Sequence, residues 1–291
     1  MSLRSWLFVP GDSDRKLMKS EAVAADALIF DLEDSVAPEQ KREARRRVRE
    51  YLASRRERPA ELWVRINALD GPLALDDLVE ILAGQPAGIV LPKVRGPRDV
   101  IMLGHYLDAL EAQHGIDLGS TRILPVTTEI PEAIFRLGNY TSCGRRLFAL
   151  TWGAEDLSTA IGAISNQEST GAWTSSFQLA RSLCLFGAHA AGVAAIDTIH
   201  ANVRDISGLR TVCEAARRDG FAGKVAVHPD QVAVINESFT PSEHETAGAQ
   251  RVVDLFAANP GVAALMLDGR MVDIPHLRQA EAILEKAARF V

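Results

Sequence analysis

RILPVTTE (Arg122–Glu129) is a short run of apolar residues that breaks abruptly into two hydroxyls and a carboxylate. A half-exposed strand alternates polar with apolar residues. A strand covered on both faces instead reads as one near-continuous apolar run. The same form recurs along the chain as SWLFVP (Ser5–Pro10), ALIFDLE (Ala27–Glu33), ELWVRIN (Glu61–Asn67) and GIVLPKV (Gly88–Val94). It returns as LFALTWGAE (Leu147–Glu155), AAIDTIH (Ala194–His200) and KVAVHP (Lys224–Pro229), eight runs in all. Between them lie helix-like segments at Glu39–Arg56, Leu73–Ala83, Pro97–His114, Phe177–Ala191 and Asp205–Asp219, the last stopping before Gly220. Strand alternating with helix predicts an α/β protein, a closed (β/α)8 TIM barrel over residues 1–240, in preference to an open doubly wound sheet. No GxGxxG follows the first run, which removes the main support for a dinucleotide fold. Then come Glu243–Ala257, an apolar run and turn at Ala263–Asp273, and a final helix over Pro275–Phe290. Residues 241–291 are thus predicted to be a C-terminal helical and hairpin appendage.

A chain of 291 residues that is 47% hydrophobic and 24% charged can bury a sizeable core. Its net charge of −6 argues against a nucleic-acid partner, which would need a basic face. The basic segment KREARRRVR (Lys41–Arg49) is most simply a solvated helix face. Cys143, Cys184 and Cys213 are far apart and show no metal-binding spacing, so they are expected to be reduced packing residues. The N-terminal apolar run is too short for a signal peptide, and no stretch approaches the length of a membrane span, so a cytoplasmic protein with no membrane association is expected.

In barrels of this kind the chemistry sits at the C-terminal ends of the strands. Those ends here carry Asp31, Glu33 and Asp34; Arg65 and Asn67; Lys93; Thr127, Thr128 and Glu129; Glu155 and Asp156; Asp197 and His200; and His228. Desolvating so many ionisable groups costs several kcal/mol each unless they are paired or bind metal. Glu129 and Asp156 close consecutive strands, where two bare carboxylates would repel. A hard divalent cation relieves that repulsion, and Mg2+ fits best because it takes one or two carboxylates and keeps positions for water and substrate oxygens. The alternative is a pair of surface salt bridges. Arg65, inside an apolar strand, needs either a neighbouring carboxylate or the oxygens of a substrate. Lys93 and His228 are open between a ligand and a partner within the mouth.

The chain resembles the citrate lyase β-subunit-like branch of the HpcH/HpaI aldolase superfamily. The resemblance rests on RSWLFVPG (Arg4–Gly11), FDLEDSVAPEQK (Phe30–Lys41), VRIN (Val64–Asn67), LPKV (Leu91–Val94) and TTE (Thr127–Glu129). WGAEDL (Trp152–Leu157), AIDT (Ala195–Thr198), GKVAVHPDQ (Gly223–Gln231) and DGRMVDIP (Asp268–Pro275) follow in the same order. It implies a barrel that assembles as homo-oligomers, trimers or hexamers, and cleaves β-hydroxyacyl thioesters with Mg2+. By its pattern Glu129 and Asp156 match the metal ligands, Glu129 also facing the substrate, and Arg65 matches the residue that binds the substrate oxygens. Glu33 and Asp34 match acids that hold metal-bound water, and Asp273 matches an acid/base that reaches into a neighbouring subunit's site. Arg15, Lys16 and Lys19 resemble the region that meets the coenzyme A phosphates, although a solvated helix start accounts for them almost as well. The stretch after Glu129, IPEAIFRLGNY (Ile130–Tyr140), departs from the short small-residue pattern of many relatives, so the acyl group is not carried over from any one of them.

The reaction this implies takes a malyl- or citramalyl-type acyl-CoA thioester apart into an acyl-CoA and a 2-oxo acid, or joins them. Three rivals stand beside it: a citryl thioester held by an acyl-carrier protein within a citrate lyase complex, an aldolase on free hydroxy-diacids, and a non-catalytic binding or scaffold subunit.

Overall fold

The computed structural model describes residues 3–54 and 59–290, and the chain divides into two compact units, Met1–Asn236 and Glu237–Val291. In the first unit the eight apolar runs become eight parallel strands. They are β1 (Ser5–Pro10), β2 (Ala27–Asp31), β3 (Glu61–Arg65), β4 (Gly88–Leu91), β5 (Arg122–Pro125), β6 (Ala149–Thr151), β7 (Ala194–Asp197) and β8 (Gly223–Ala226). Their order is β5-β4-β3-β2-β1-β8-β7-β6. β5 and β6 meet through separate bonds rather than a ladder: Ile123 N donates to Arg146 O at 2.7 Å, Phe148 N to Ile123 O at 2.9 Å and Thr127 N to Thr151 O at 2.8 Å. Those bonds bring the ring together, and the architecture is the (β/α)8 barrel expected from the alternation.

Helices α1 (Asp14–Lys19), α2 (Lys41–Ser54), α3 (Ala74–Ile81), α4 (Pro97–His114), α5 (Pro131–Ile134) and α6 (Glu155–Ile161) separate the first strands. Then follow α7 (Ser175–Ala190), α8 (Ile206–Asp219) and, after β8, α9 (Pro229–Phe239). The predicted helix over Glu39–Arg56 starts later, because Pro38–Gln40 form a 3-10 turn, and its expected end at Arg56 lies outside the described residues. Polar strand ends counted as strand in the sequence, such as Thr127–Glu129 and Trp152–Glu155, lie in the loops or first helical turns that follow.

Side chains of alternate positions fill the barrel. Trp6, Ile29, Trp63, Leu124, Val126, Ile196 and Val225 form one buried cluster. Near the N-terminal end Trp6 and Trp63 meet edge to face at 5.0 Å, with Phe148 packed on both. Arg122 lies over the Trp63 and Phe148 rings and pairs with Glu61 at 2.7 Å, which stoppers that end. Gly88 leaves the room Trp63 needs, since any Cβ there would overlap the indole. The C-terminal end is open, and a cavity lies there. Cys143, Cys184 and Cys213 are buried free thiols, as their scatter predicted.

The basic segment is more than a solvated face, which corrects its reading from the sequence. Arg46 is exposed among Glu43 and Glu50, but Arg45 is buried with its Nε 2.5 Å from Asp77 Oδ1. Lys41 turns inward and donates to the carbonyls of Leu32 (2.8 Å) and Glu33 (2.7 Å) and to Asn67 Oδ1 (2.9 Å). Charged side chains at helical spacing look alike in sequence; what separates them is Asp77, thirty-two residues further on.

The second unit holds α10 (Glu243–Ala257), an antiparallel hairpin of β9 (Ala264–Leu267) and β10 (Arg270–Asp273), and α11 (Ile274–Ala288). Asp268 and Gly269 both take positive φ (49° and 77°) in the two-residue turn, the conformation for which Asp-Gly is suited. Asp273 caps α11: its carboxylate accepts from His276 N, and the His276 ring returns to it. Among the described residues, no helix is long and apolar enough to cross a membrane.

Candidate active site

The open end of the barrel is a cavity of about 360 Å3. Its floor is apolar (Phe8, Ile29, Val90, Leu124, Val126, Val225), and Asp31, Asp34, Arg65, Glu129, Glu155 and Asp156 stand in its wall. Register explains the first pairing. Asp31 and Arg65 are ladder partners on neighbouring parallel strands, so their side chains leave the barrel wall side by side. Arg65 donates from Nε to Asp31 Oδ1 at 2.7 Å and from Nη2 to Oδ2 at 2.8 Å, a two-pronged geometry that fixes the guanidinium plane. Its Nη1 lies 3.0 Å from Glu33 Oε2, and its Cζ sits 4.6 Å from the centre of the Phe8 ring. Arg65 therefore has its neighbouring carboxylates, and N–H groups not used by them remain for a ligand.

Asp31 also folds the loop that follows it, accepting from Glu33 N at 3.0 Å and Ser35 N at 3.1 Å. Burial alone would raise its pKa, but Arg65 and these donors hold it below the ordinary carboxylate value. Glu33 goes the other way: burial outweighs Arg65 and Lys93 and raises it. Asp34 stands half in solvent beside Lys93.

Glu129 follows β5, and Asp156 occupies the first turn of α6 rather than a strand end. Glu129 Oε2 accepts from Lys93 N at 2.6 Å. Gly153 lies against the same carboxylate; a Cβ at that position would stand 2.8 Å from Glu129 Cγ and 3.1 Å from Oε1. Burial, with Asp156 and Glu33 nearby, pushes Glu129 up to about 8 against the opposing Lys93 hydrogen bond and the Arg65 charge. A carboxylate raised so far by burial, beside the half-exposed carboxylate of Asp156, is a donor set of hard oxygens that fits a divalent cation such as Mg2+. Among the described residues no three His, Cys, Asp or Glu side chains gather into a metal cage, so the candidate is a two-carboxylate site.

The remaining predicted residues divide. Arg15, Lys16 and Lys19 are exposed on α1, at the same end of the barrel but outside the cavity wall. His228 is partly exposed and turned onto the start of α9, where its Nδ1 accepts from Asp230 N at 3.3 Å. His200 lies 3.7 Å from Asp205, and burial lowers its basicity. Asp197 is buried outside the cavity with Lys224 (2.9 Å), Arg181 (3.3 Å) and Trp152 Nε1 (2.8 Å), a structural knot between sheet and helices. Asp273 belongs to the second unit, where it is partly exposed at the α11 cap. The sequence places Asp31 at a strand end without a partner and leaves Lys93 open between a ligand and a partner within the mouth; the structure gives both their partners, and it adds Gly153, which lies against the Glu129 carboxylate. Strand register, had it been known, would have exposed the Asp31–Arg65 pair.

Residues 4–229 match the family described as HpcH/HpaI aldolase/citrate lyase. The chain is 33% identical over 286 residues to the citrate lyase subunit beta of Escherichia coli (strain K12), covering 98% of this chain and 93% of that one. It is 31% identical over 296 residues to the mitochondrial citramalyl-CoA lyase of Rattus norvegicus, covering 98% and 86%. The crystal structure of protein CitE from Mycobacterium tuberculosis in complex with magnesium, acetoacetate and coenzyme A matches with a TM-score of 0.80 at 32% identity, covering 99% of this chain and 98% of that one. Barrel, acidic mouth and similarity along nearly the full length agree, and the chain belongs to the HpcH/HpaI aldolase/citrate lyase family.

Proposed function

We propose that this protein is a Mg2+-dependent carbon–carbon lyase that cleaves, or forms, a 3-hydroxyacyl-CoA of the malyl- or citramalyl-CoA type. The observation that carries the reading is one cavity holding two under-neutralised carboxylates, Glu129 and Asp156, beside a guanidinium locked in place by Asp31. The relatives named as citramalyl-CoA lyase and the CitE complex with magnesium and coenzyme A support the same class.

Glu129 and Asp156 would hold the metal, and Glu33 and Asp34 would orient the water around it. When bound, Mg2+ would supply a Lewis acid that eases transfer of the substrate hydroxyl proton to solvent water. Arg65 faces the substrate oxygens and stabilises their negative charge as the carbon–carbon bond breaks. The electrons of that bond pass to the thioester, which becomes an enolate, while the hydroxyl carbon becomes the carbonyl of the 2-oxo acid. Asp273 of a neighbouring subunit delivers a proton to the enolate carbon, or removes it in the condensing direction. This role gives the C-terminal segment 241–291 its place in a homo-oligomer, trimer or hexamer. Arg15, Lys16 and Lys19 meet the coenzyme A phosphates, and the enzyme works in the cytoplasm.

The test is an assay of the purified chain on malyl- and citramalyl-CoA with and without Mg2+, beside Asp156→Ala and Asp273→Asn. Mg2+-dependent release of a 2-oxo acid, lost in both variants, is expected. Wild-type rates in either variant would overturn its assigned role. Activity on a free hydroxy-diacid, or only on a carrier-protein thioester, would move the substrate class.

A further inference from the structure

We propose that Lys93 is a tethered cation of the acidic mouth that competes with the divalent ion for its carboxylates. This rests on the reading of Glu129 and Asp156 as metal ligands. Among the described residues three non-glycines take positive φ, and Gln85 and Asp268 lie at a helix end and in a hairpin turn. Lys93, at φ 51°, stands instead at the mouth just after β4. A left-handed backbone costs a side-chain-bearing residue about 1 kcal/mol, and here it aims the Lys93 N–H at Glu129 Oε2, 2.6 Å away. The ammonium meanwhile pairs with Glu33 and lies 3.2 Å from Asp34 Oδ2 and 3.6 Å from Asp156 Oδ2. One residue thus touches four carboxylates carried by two loops and the first turn of α6. Glycine would offer the same N–H without strain; lysine adds a charge.

Arg65 pairs with Asp31 and Glu33, and among the described residues Lys93 is the cation beside Asp34 and Asp156. A divalent ion on Glu129 and Asp156 must enter against that ammonium. Replacing Lys93 by methionine keeps the length of the side chain and removes one positive charge. Loss of that charge removes its repulsion of a doubly charged ion, so metal binding tightens. Charges of two and one about 6 Å apart in a water-like medium give a change of about tenfold. A lysine that only braced the loops would act in the opposite sense, because losing it would let the carboxylates spread and weaken the metal.

The experiment is calorimetric titration of the full chain with MgCl2 at pH 9.5, where no proton exchange on Glu129 enters, without substrate, for wild type, Lys93→Met, Lys93→Gln and Lys93→Arg. Circular dichroism establishes that each is folded, and the glutamine variant serves if the methionine variant is not. Expected are dissociation constants about tenfold lower for the neutral variants and within about threefold of wild type for arginine. Equal or weaker binding in the neutral variants overturns the inference while leaving the ligand reading intact. Tightening by arginine as large as by methionine overturns it too, since charge would not be the cause. A wild type that binds no Mg2+ removes the ligand reading, and the inference with it.

Discussion

Raising the pH from 6.5 to 9 should tighten Mg2+ binding to the free protein by about thirtyfold, because Glu129 must give up a proton to bind metal. Its carboxyl is pushed up to about 8 by burial, reinforced by Asp156 and Glu33. Below that value each pH unit costs about tenfold in apparent affinity for one proton displaced, and above it the dependence flattens. The same shift sets the sign for stability. A carboxyl raised in the folded state keeps a proton that the unfolded chain has released, so the metal-free fold loses stability as pH rises from about 4.5 to about 8. The slope is about 1.4 kcal/mol per pH unit for that group. Mg2+ should restore what is lost. Titration calorimetry in two buffers of different ionisation enthalpy counts the protons directly: close to one released per Mg2+ at pH 6.5, about half at pH 8 and almost none at pH 9.5. Equal affinities at pH 6.5 and 9 with no proton released would refute the reasoning, since Glu129 would then be ionised throughout or not a ligand.

Gly153→Ala should weaken Mg2+ binding at least tenfold by calorimetry, because its methyl would stand 2.8 Å from Glu129 Cγ and turn that carboxylate away; unchanged affinity would mean that Glu129 has room to yield. Arg65→Lys keeps the charge but loses the two-pronged grip on Asp31, so kcat should fall about 100-fold with Mg2+ affinity little changed, measured by steady-state kinetics. Asp77→Ala should lower unfolding free energy in urea by about 3–5 kcal/mol, since Asp77 is the buried partner of Arg45 Nε (2.5 Å), Asn67 N (2.7 Å) and Asn67 Nδ2 (2.6 Å). A loss below 1 kcal/mol would show that water replaces it.

The barrel was legible because its physics is local. A strand covered on both sides must be apolar throughout, and eight such runs with helices between them leave few other arrangements. The acids of the mouth were legible from position along each strand. What was not legible was which of them meet. Arg65 lies thirty-four residues from Asp31, and Lys93 lies thirty-six from Glu129 and sixty from Glu33. Those encounters depend on register between strands and on loop conformations that a one-dimensional pattern does not encode. Lys41 and Arg45 failed for a related reason: on a helix so rich in arginine and glutamate, the buried charges differ from the exposed ones only through distant partners.

The distribution of charge around the mouth constrains how a thioester lies in it. Asp31, Asp34, Arg65, Glu129 and Asp156 come from the arc β2, β3, β5 and β6. The other arc, β7, β8 and β1, lines the cavity with Thr198, Ile199, Val225, Val227, Phe8 and Pro10, none of them charged. A substrate with a hydroxyl and a carboxylate at one end and a thioester at the other fits this asymmetry in one orientation. Its oxygen-rich end belongs over the charged arc, where binding it offsets the cost of burying those carboxylates, and its thioester over the apolar arc. The chain beyond the sulfur then leaves beside β1, and the helix that follows β1 is the one bearing Arg15, Lys16 and Lys19 exposed at the same end. That placement accords with the proposed contact of these residues with the phosphates of coenzyme A. A free hydroxy-diacid would use the charged arc alone and leave both the apolar arc and α1 without a role.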